Sequence, residues 1–298
     1  MPRGTITRQP SPTGRQERVT KTRVKSPAGR LVSASRKSSA QAEPIKKAAK
    51  QTRFLSGTVA KAARAFARGV PKGYNPLTPE RVSKILKRLD ERYPNVTCAL
   101  HHNSAWELLV ATILSAQCTD ARVNLVTPIL FEKYPTVEHF AALQPEDLEP
   151  DIRSTGFFRN KSKSLVGAAR KIFEQFNGDV PRTMDELLEI PGVARKTANV
   201  VLGTWYKIAD GVVVDTHVQR ISRRLELTRN EDPQKIEQDL MKVIPRAKWI
   251  DFSHQIIHHG RSLCIARNPK CSDCPLETLC HAADKTWSTV EMHRSARP

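Results

Sequence analysis

Four cysteines within 17 residues constrain this chain more than any other feature: Cys264, Cys271, Cys274 and Cys280, with six, two and five residues between them. The N-terminus, from Met1-Pro2-Arg3 onward, has no continuous apolar core leading to a small-residue cleavage site. No secretory signal is read, and the chain is expected to stay inside the cell, in the cytoplasm or nucleoid. Clustered thiols in that setting point to a metal centre and not to a disulfide framework. Four thiolates hold either Zn²⁺ or a [4Fe–4S] cluster. Zinc sites usually set two close pairs across a longer insert, whereas only one CxxC is present here, so the spacing favours iron–sulfur. The loop between Cys264 and Cys271 carries Arg267 and Lys270, and pinning it at both ends would present these cations to phosphate. Cys98 and Cys118 stand apart and read as ordinary small residues.

The charge balance names the class of partner. The 298 residues include 49 Lys and Arg against 30 Asp and Glu, a formal charge of +19. Residues 1–75 hold 18 of the cations and only two acids, Glu17 and Glu43, so nearly all the excess sits there. Such a surplus suits a polyanion. The same stretch is rich in Ser, Thr, Pro, Gly and Ala and poor in large apolar residues, so it is expected to form a disordered basic tail. Within it, Thr58 to Val70 could become a basic helix on a polyanion or serve as a solvated linker. The Arg- and Ser-rich composition also fits an organellar transit peptide. No apolar run approaches the roughly 18–20 residues that a membrane span requires.

From residue 76 the chain turns globular and its periodicity becomes helical. Ser104-Ala105-Trp106-Glu107 is a capping box, followed by Trp106, Leu109, Val110, Ile113 and Leu114 on one face, which predicts a buried helix ending near Gln117. Thr78-Pro79 predicts a helix to about Tyr93. Others are expected near 119–133, 160–176, 195–206, 216–226, 233–244 and 249–262. The one β-rich run is Val212-Val213-Val214, so the fold class is all-α.

A second capping box, Thr183-Met184-Asp185-Glu186, opens a short helix that Pro191 must end. Then Ile190-Pro191-Gly192-Val193-Ala194-Arg195-Lys196 leads into another helix through Leu202. A glycine turn at a helix N-terminus exposes unpaired N–H groups at the positive end of the dipole, a phosphate site blind to base identity. The same pattern also serves as a plain helix–helix connection. Lys196 lies in the first turn, where the helix end and partial burial are expected to favour a neutral, nucleophilic amine. Asp215 follows the valine run and is expected to cap the next helix.

This hairpin, Val214-Asp215-Thr216-His217-Val218, Leu114-Ser115-Ala116-Gln117-Cys118-Thr119-Asp120 and the four-cysteine run together resemble endonuclease III, the DNA glycosylase and abasic-site lyase family of the helix-hairpin-helix superfamily. The likeness extends over roughly 76–283. It implies two helical lobes flanking a DNA-binding cleft: a six-helix barrel lobe over 98–208 containing the hairpin at 183–206, and a cluster lobe over 209–283. Residues 76–97 would join the cluster lobe and 284–298 would form a short C-terminal tail. The resemblance implies a [4Fe–4S] cluster on Cys264, Cys271, Cys274 and Cys280, with Lys196 as Schiff-base nucleophile and Asp215 as the activating carboxylate. Gln117 and Phe157 would fill the gap left by an extruded base. Lys161, Gly192, Ala194, Arg195, Arg267 and Lys270 complete the expected DNA contacts. Ala194 departs from the family, which usually has a second hairpin glycine, and this puts the turn geometry in question. The implied partner is duplex DNA with damaged, oxidised pyrimidines or abasic sites, bound by a monomer with no role for a membrane. The rival readings are an adenine-mismatch glycosylase of the same superfamily, which typically lacks the lysine, and a non-catalytic iron–sulfur DNA-binding protein. Asp120 reads first as an N-cap, His217 as orienting the Asp215 turn, and His254 with His258 as packing or surface residues.

Overall fold

The computed structural model describes residues 74–286, all within one compact unit. The basic tail through residue 73, with its Thr58–Val70 segment, and residues 287–298 lie outside the described residues. Among the described residues there is no strand, in line with the all-α reading, and no helix is long and apolar enough to cross a membrane.

The helices are α1 Pro79–Arg92, α2 Ala105–Leu114, α3 Asp120–Lys133, α4 Val137–Ala142, α5 Pro145–Ile152, α6 Phe158–Phe176, α7 Met184–Leu188, α8 Arg195–Thr204, α9 Thr216–Arg224, α10 Pro233–Val243 and α11 Trp249–Ser262, and all but α4 and α5 form where the caps and periodicity placed them. Ser104 Oγ accepts from the Glu107 N–H at 3.1 Å, while the Glu107 carboxylate takes the Asn103 N–H instead of that of Ser104. Helices α4 and α5 have no counterpart in the sequence reading. α4 is only six residues long, and α5 starts on a Gln144–Asp147 capping box with Pro145 in its first turn. Glutamine is an uncommon cap, which hid the signal.

Two separate cores result. One gathers Trp106, Leu109, Phe140, Leu165, Leu187 and Val201 from α2 to α8. Trp106 and Phe140 meet edge to face with centroids 5.2 Å apart. The second gathers Ile85, Val218, Leu240 and Phe252 from α1 and α9 to α11, with Leu276 from the cysteine loops. The chain thus starts in the second core, builds the first, and returns. α1 is tied to the cysteine loops by the buried Arg81, which donates to Leu225 O and Leu279 O, and by Arg88, which donates to Pro275 O and Thr278 Oγ1. Packing continues past residue 284: Asp284 pairs with Arg224, and the buried Lys285 donates to Glu277 O at 2.7 Å. The first residues of the stretch read as a tail therefore belong to the cluster lobe.

Candidate active site at the seam of the two lobes

The hairpin is built around Gly192. Its φ is +80°, and a Cβ there would stand 2.6 Å from Ser164 Cβ on α6, so only glycine fits. Ala194, by contrast, has φ −98° and ψ 167° as the N-cap of α8. That extended backbone suits any residue, which removes the difficulty raised by the missing second glycine. Alanine offers no side-chain cap, so the first N–H groups of α8 receive none and remain available to an outside acceptor. Lys196 is the second residue of α8 and is exposed. The expected partial burial of Lys196 is therefore corrected: the residue is exposed.

Asp215 sits at the matching position in the other lobe. Val212, Val213 and Val214 are buried, and the Val213 N–H donates to Ser253 Oγ at 3.1 Å, which anchors the run against α11. The chain then turns into α9 with Asp215 as N-cap, its Oδ1 accepting from His217 N and Val218 N at 2.8 Å each. The cap fixes one oxygen; Oδ2 takes no hydrogen bond from the described residues. Arg220 Nη2 lies 3.2 Å from His217 Nδ1. Arginine can only donate, so Nδ1 accepts from it. Burial lowers the His217 pKa, the Asp215 charge acting in the opposite direction.

Lys196 and Asp215 line one cavity of about 270 Å³ between the lobes. Its wall includes Cys98, Ser115, Val200, His254 and His258. His254 is half-buried on α11, and burial lowers its pKa. No third donor joins it and His258: among the described residues, no group of three His, Cys, Asp or Glu could hold a metal ion. Asp120 is not the cap of α3. Thr119 takes that role, and the Asp120 carboxylate instead reaches Arg261 Nη2 on α11 at 2.6 Å, an ion pair spanning the two lobes at the cavity. Arg261 escaped the sequence reading because its partner is 141 residues away.

Gln117 and Phe157 are both exposed and both left-handed, with φ 54° and 49°. Gln117 lies in the turn beyond α2 rather than at its end. Phe157 is 60% exposed, while its neighbour Phe158 packs on the barrel core, so the adjacent aromatics split as one outward and one inward. Lys161 does not face DNA. It is 5% exposed, and its Nζ donates to Leu114 O and Thr155 O at 2.8 Å each. Burial lowers its pKa, with Cys118 acting the other way. Arg195 is likewise engaged internally, its Nε donating at 2.8 Å to Glu237, a buried carboxylate of α10 that also accepts from Asn199. Arg267 and Lys270 are exposed as expected.

The four cysteines line one small cavity with Leu263, Arg224 and Lys285. Burial pushes the Cys274 thiol up to about 12 and raises Cys264 and Cys280, and the other cysteines of the set add to each rise. Four thiols this close and partly buried become thiolates only with a metal centre to neutralise them. Arg224 Nη1 already donates toward Cys264 Sγ at 3.2 Å. The cysteines face one common space, a donor set that fits a [4Fe–4S] cluster.

Comparison with known proteins agrees with this geometry. The HhH-GPD superfamily of base excision DNA repair proteins matches residues 110–246, and the iron–sulfur binding domain of endonuclease III matches residues 264–280. An endonuclease III of Synechocystis sp. is 55% identical over 204 residues, covering 68% of this chain and 93% of the relative. The chain belongs to the endonuclease III family. That of Escherichia coli strain K12 is 39% identical over 205 residues, covering 68% of this chain and 95% of the relative. A solved endonuclease III trapped as a covalent DNA intermediate superposes with TM-score 0.65 at 43% identity, covering 68% of this chain and 95% of that one. A non-covalent endonuclease III–DNA complex gives TM-score 0.65 at 41% identity, with coverages of 73% and 99%. This family member is a base excision repair DNA glycosylase that binds DNA, and its cysteines carry a [4Fe–4S] cluster.

Proposed function

We propose that this glycosylase is bifunctional, releasing oxidised pyrimidines from duplex DNA and then breaking the strand by β-elimination. The observation that carries the reading is the pairing of Lys196 and Asp215 on one cavity, each at a helix N-terminus and each from a different lobe. A base must leave the stack to be processed, and this cavity is the recess that would receive it. Lys196 Nζ gives up a proton and attacks C1′; the bond from C1′ to the base breaks, and its electron pair leaves with the base. Asp215, with Oδ1 held by its cap, offers Oδ2 to take the amine proton and to stabilise positive charge on the sugar. The C1′–O4′ bond then breaks, its electron pair stays on O4′ and the proton held by Asp215 passes to it, which leaves an imine between Lys196 and C1′. Loss of a C2′ proton then expels the 3′ phosphate, and water releases the lysine. The helix N-terminus after Gly192 and the exposed Arg267 and Lys270 would hold the flanking phosphates. The cluster supplies a fixed scaffold for that second loop; the reaction steps belong to the protein side chains. That an endonuclease III could be trapped as a covalent DNA intermediate supports a nucleophilic side chain, and Lys196 is the amine that lines this cavity.

Borohydride trapping on a duplex carrying one oxidised pyrimidine tests the proposal. Wild type should form a covalent adduct and Lys196→Ala none, while Asp215→Asn should bind DNA but excise poorly. A full-strength adduct from Lys196→Ala would remove that lysine from the mechanism. Binding and base release with no adduct in wild type would leave a monofunctional glycosylase, the activity expected of an adenine-mismatch enzyme.

A further inference from the structure

We infer that Lys161 is a buried strut that locks together the two turns presenting Gln117 and Phe157, and so sets the geometry in which an extruded base is replaced. This rests on the reading of Gln117 and Phe157 as gap-fillers and names the residue that positions them.

One ammonium joins both turns. Leu114 is the last residue of α2, three positions before Gln117, and Thr155 is two positions before Phe157; Lys161 Nζ is 2.8 Å from the carbonyl oxygen of each. A helix C-terminus is the negative end of its dipole, which suits a cation. Leu114 O has no backbone partner beyond α2, since Cys118 N turns to Ser115 O. The Lys161 main chain grips the same loop, its N–H donating to Phe157 O at 3.1 Å. Thr155 is itself 2% exposed, with Oγ1 bonded to Ile152 O, so the anchor is rigid.

The two presenting residues need such an anchor. Gln117 and Phe157 hold left-handed backbone, which non-glycine residues keep only where the surroundings enforce it. Gly156, before Phe157, has φ +72° and nothing within 4 Å of where its Cβ would stand, so no side chain packs on that side of the residue. Lys161 braces it from within, and one atom tying both turns also fixes their separation. A side chain so placed makes no phosphate contact, which distinguishes it from the exposed Arg267 and Lys270.

The test compares Lys161→Met with wild type on two DNAs. The first is a duplex with an oxidised pyrimidine opposite 2-aminopurine, whose fluorescence reports loss of stacking. The second is a single-stranded abasic oligonucleotide, which has no gap to fill. Lys161→Met should slow the fluorescence change and single-turnover excision on the duplex roughly tenfold, while cleavage of the single strand stays within about twofold, because misplacement of gap-filling groups affects only the first. The slope of binding against salt should not move. Equal losses on both DNAs would reduce Lys161 to a general stabiliser, and a shallower salt slope would return it to the phosphate contacts. Should Lys161→Met fail to fold, Lys161→Arg keeps the charge but replaces the compact ammonium with a longer planar fork, which must push the two carbonyls out of their present spacing, and it carries the same comparison. Gln117→Ala and Phe157→Ala serve as references. If they leave the fluorescence change intact, the gap-filling reading falls and the strut with it. If they slow it and Lys161→Met does not, only the strut falls.

Discussion

Replacing Gly192 with alanine should damage the hairpin through two terms that can be separated. The first is conformational: φ of +80° is left-handed, and forcing an L-residue there costs about 1–2 kcal/mol. The second is steric. The new Cβ would stand 2.6 Å from Ser164 Cβ and 2.9 Å from its Oγ, so α6 or the turn must shift, at about 1–3 kcal/mol. A loss near 3 kcal/mol in a domain of this size lowers Tm by about 6–12 °C. Ser164→Gly removes the obstructing atoms but not the φ penalty, so the double variant should recover about 1–3 kcal/mol after the cost of Ser164→Gly alone is subtracted. Urea unfolding of the four proteins gives that coupling, and titration of abasic-site duplex reports the hairpin. Ala194→Gly makes the contrast: at φ −98° it relieves no strain, its added chain entropy and its better fit at an N-cap oppose each other, and stability should move by less than about 0.5 kcal/mol with no gain in affinity. A neutral Gly192→Ala, or a cycle with no coupling to Ser164, would refute the geometry. Tighter DNA binding by Ala194→Gly would show that the hairpin does want a second glycine.

Three further outcomes are expected. His254 is kept neutral by burial, so the unfolded chain takes up a proton that the fold refuses as pH falls below about 6.5; stability should decline on acidification, and His254→Gln should flatten that slope between pH 7 and 5, as measured by urea unfolding at each pH. Oxidative removal of iron should raise hydrogen exchange across 264–286 and in α1, which Arg81 and Arg88 tie to those loops, while the α2 to α8 core keeps its protection; uniform exposure would contradict two separate cores. Arg195→Met leaves the buried Glu237 carboxylate with only Asn199 as partner and should lower stability by about 1–3 kcal/mol, less than a fully buried pair because Arg195 is a third exposed, without changing the salt slope of DNA binding. A slope reduced by about one would make Arg195 a phosphate contact after all.

What could be read from the sequence was local. Ser104, Thr183 and Asp215 announce their helices within four residues, and the cysteine spacing announces its centre within 17. The catalytic candidates could be found because each lies on such a signal. What stayed hidden depends on partners far along the chain. Lys161 and Arg195 are ordinary cations in sequence, and nothing nearby shows that one ends against Leu114 O and the other against Glu237. Asp120 begins a helix, which favours the cap reading until Arg261 appears opposite it. Ala194 misled in the other direction: a family glycine suggests positive φ, yet the turn concentrates that demand at Gly192 and leaves Ala194 extended.

These hidden pairs bear on how the site works, because Lys196 and Asp215 belong to different lobes and their separation is set by the seam. On one side Arg195, beside Lys196, is tied to Glu237 of α10; on the other, Asp120 is tied to Arg261 of α11. Asp215 is then held from behind: α9 carries Arg220 and Arg224, whose guanidinium groups donate to Cys264 O at 2.9 and 3.4 Å. The first cluster cysteine therefore anchors the same helix whose N-terminus presents the carboxylate. A cluster held by Cys264 is thus linked to the position of Asp215 through one nine-residue helix and two arginines. Losing the cluster should thus reduce excision even on DNA that Lys196 can reach, and the loss should follow displacement of α9 rather than any weakening of phosphate contacts.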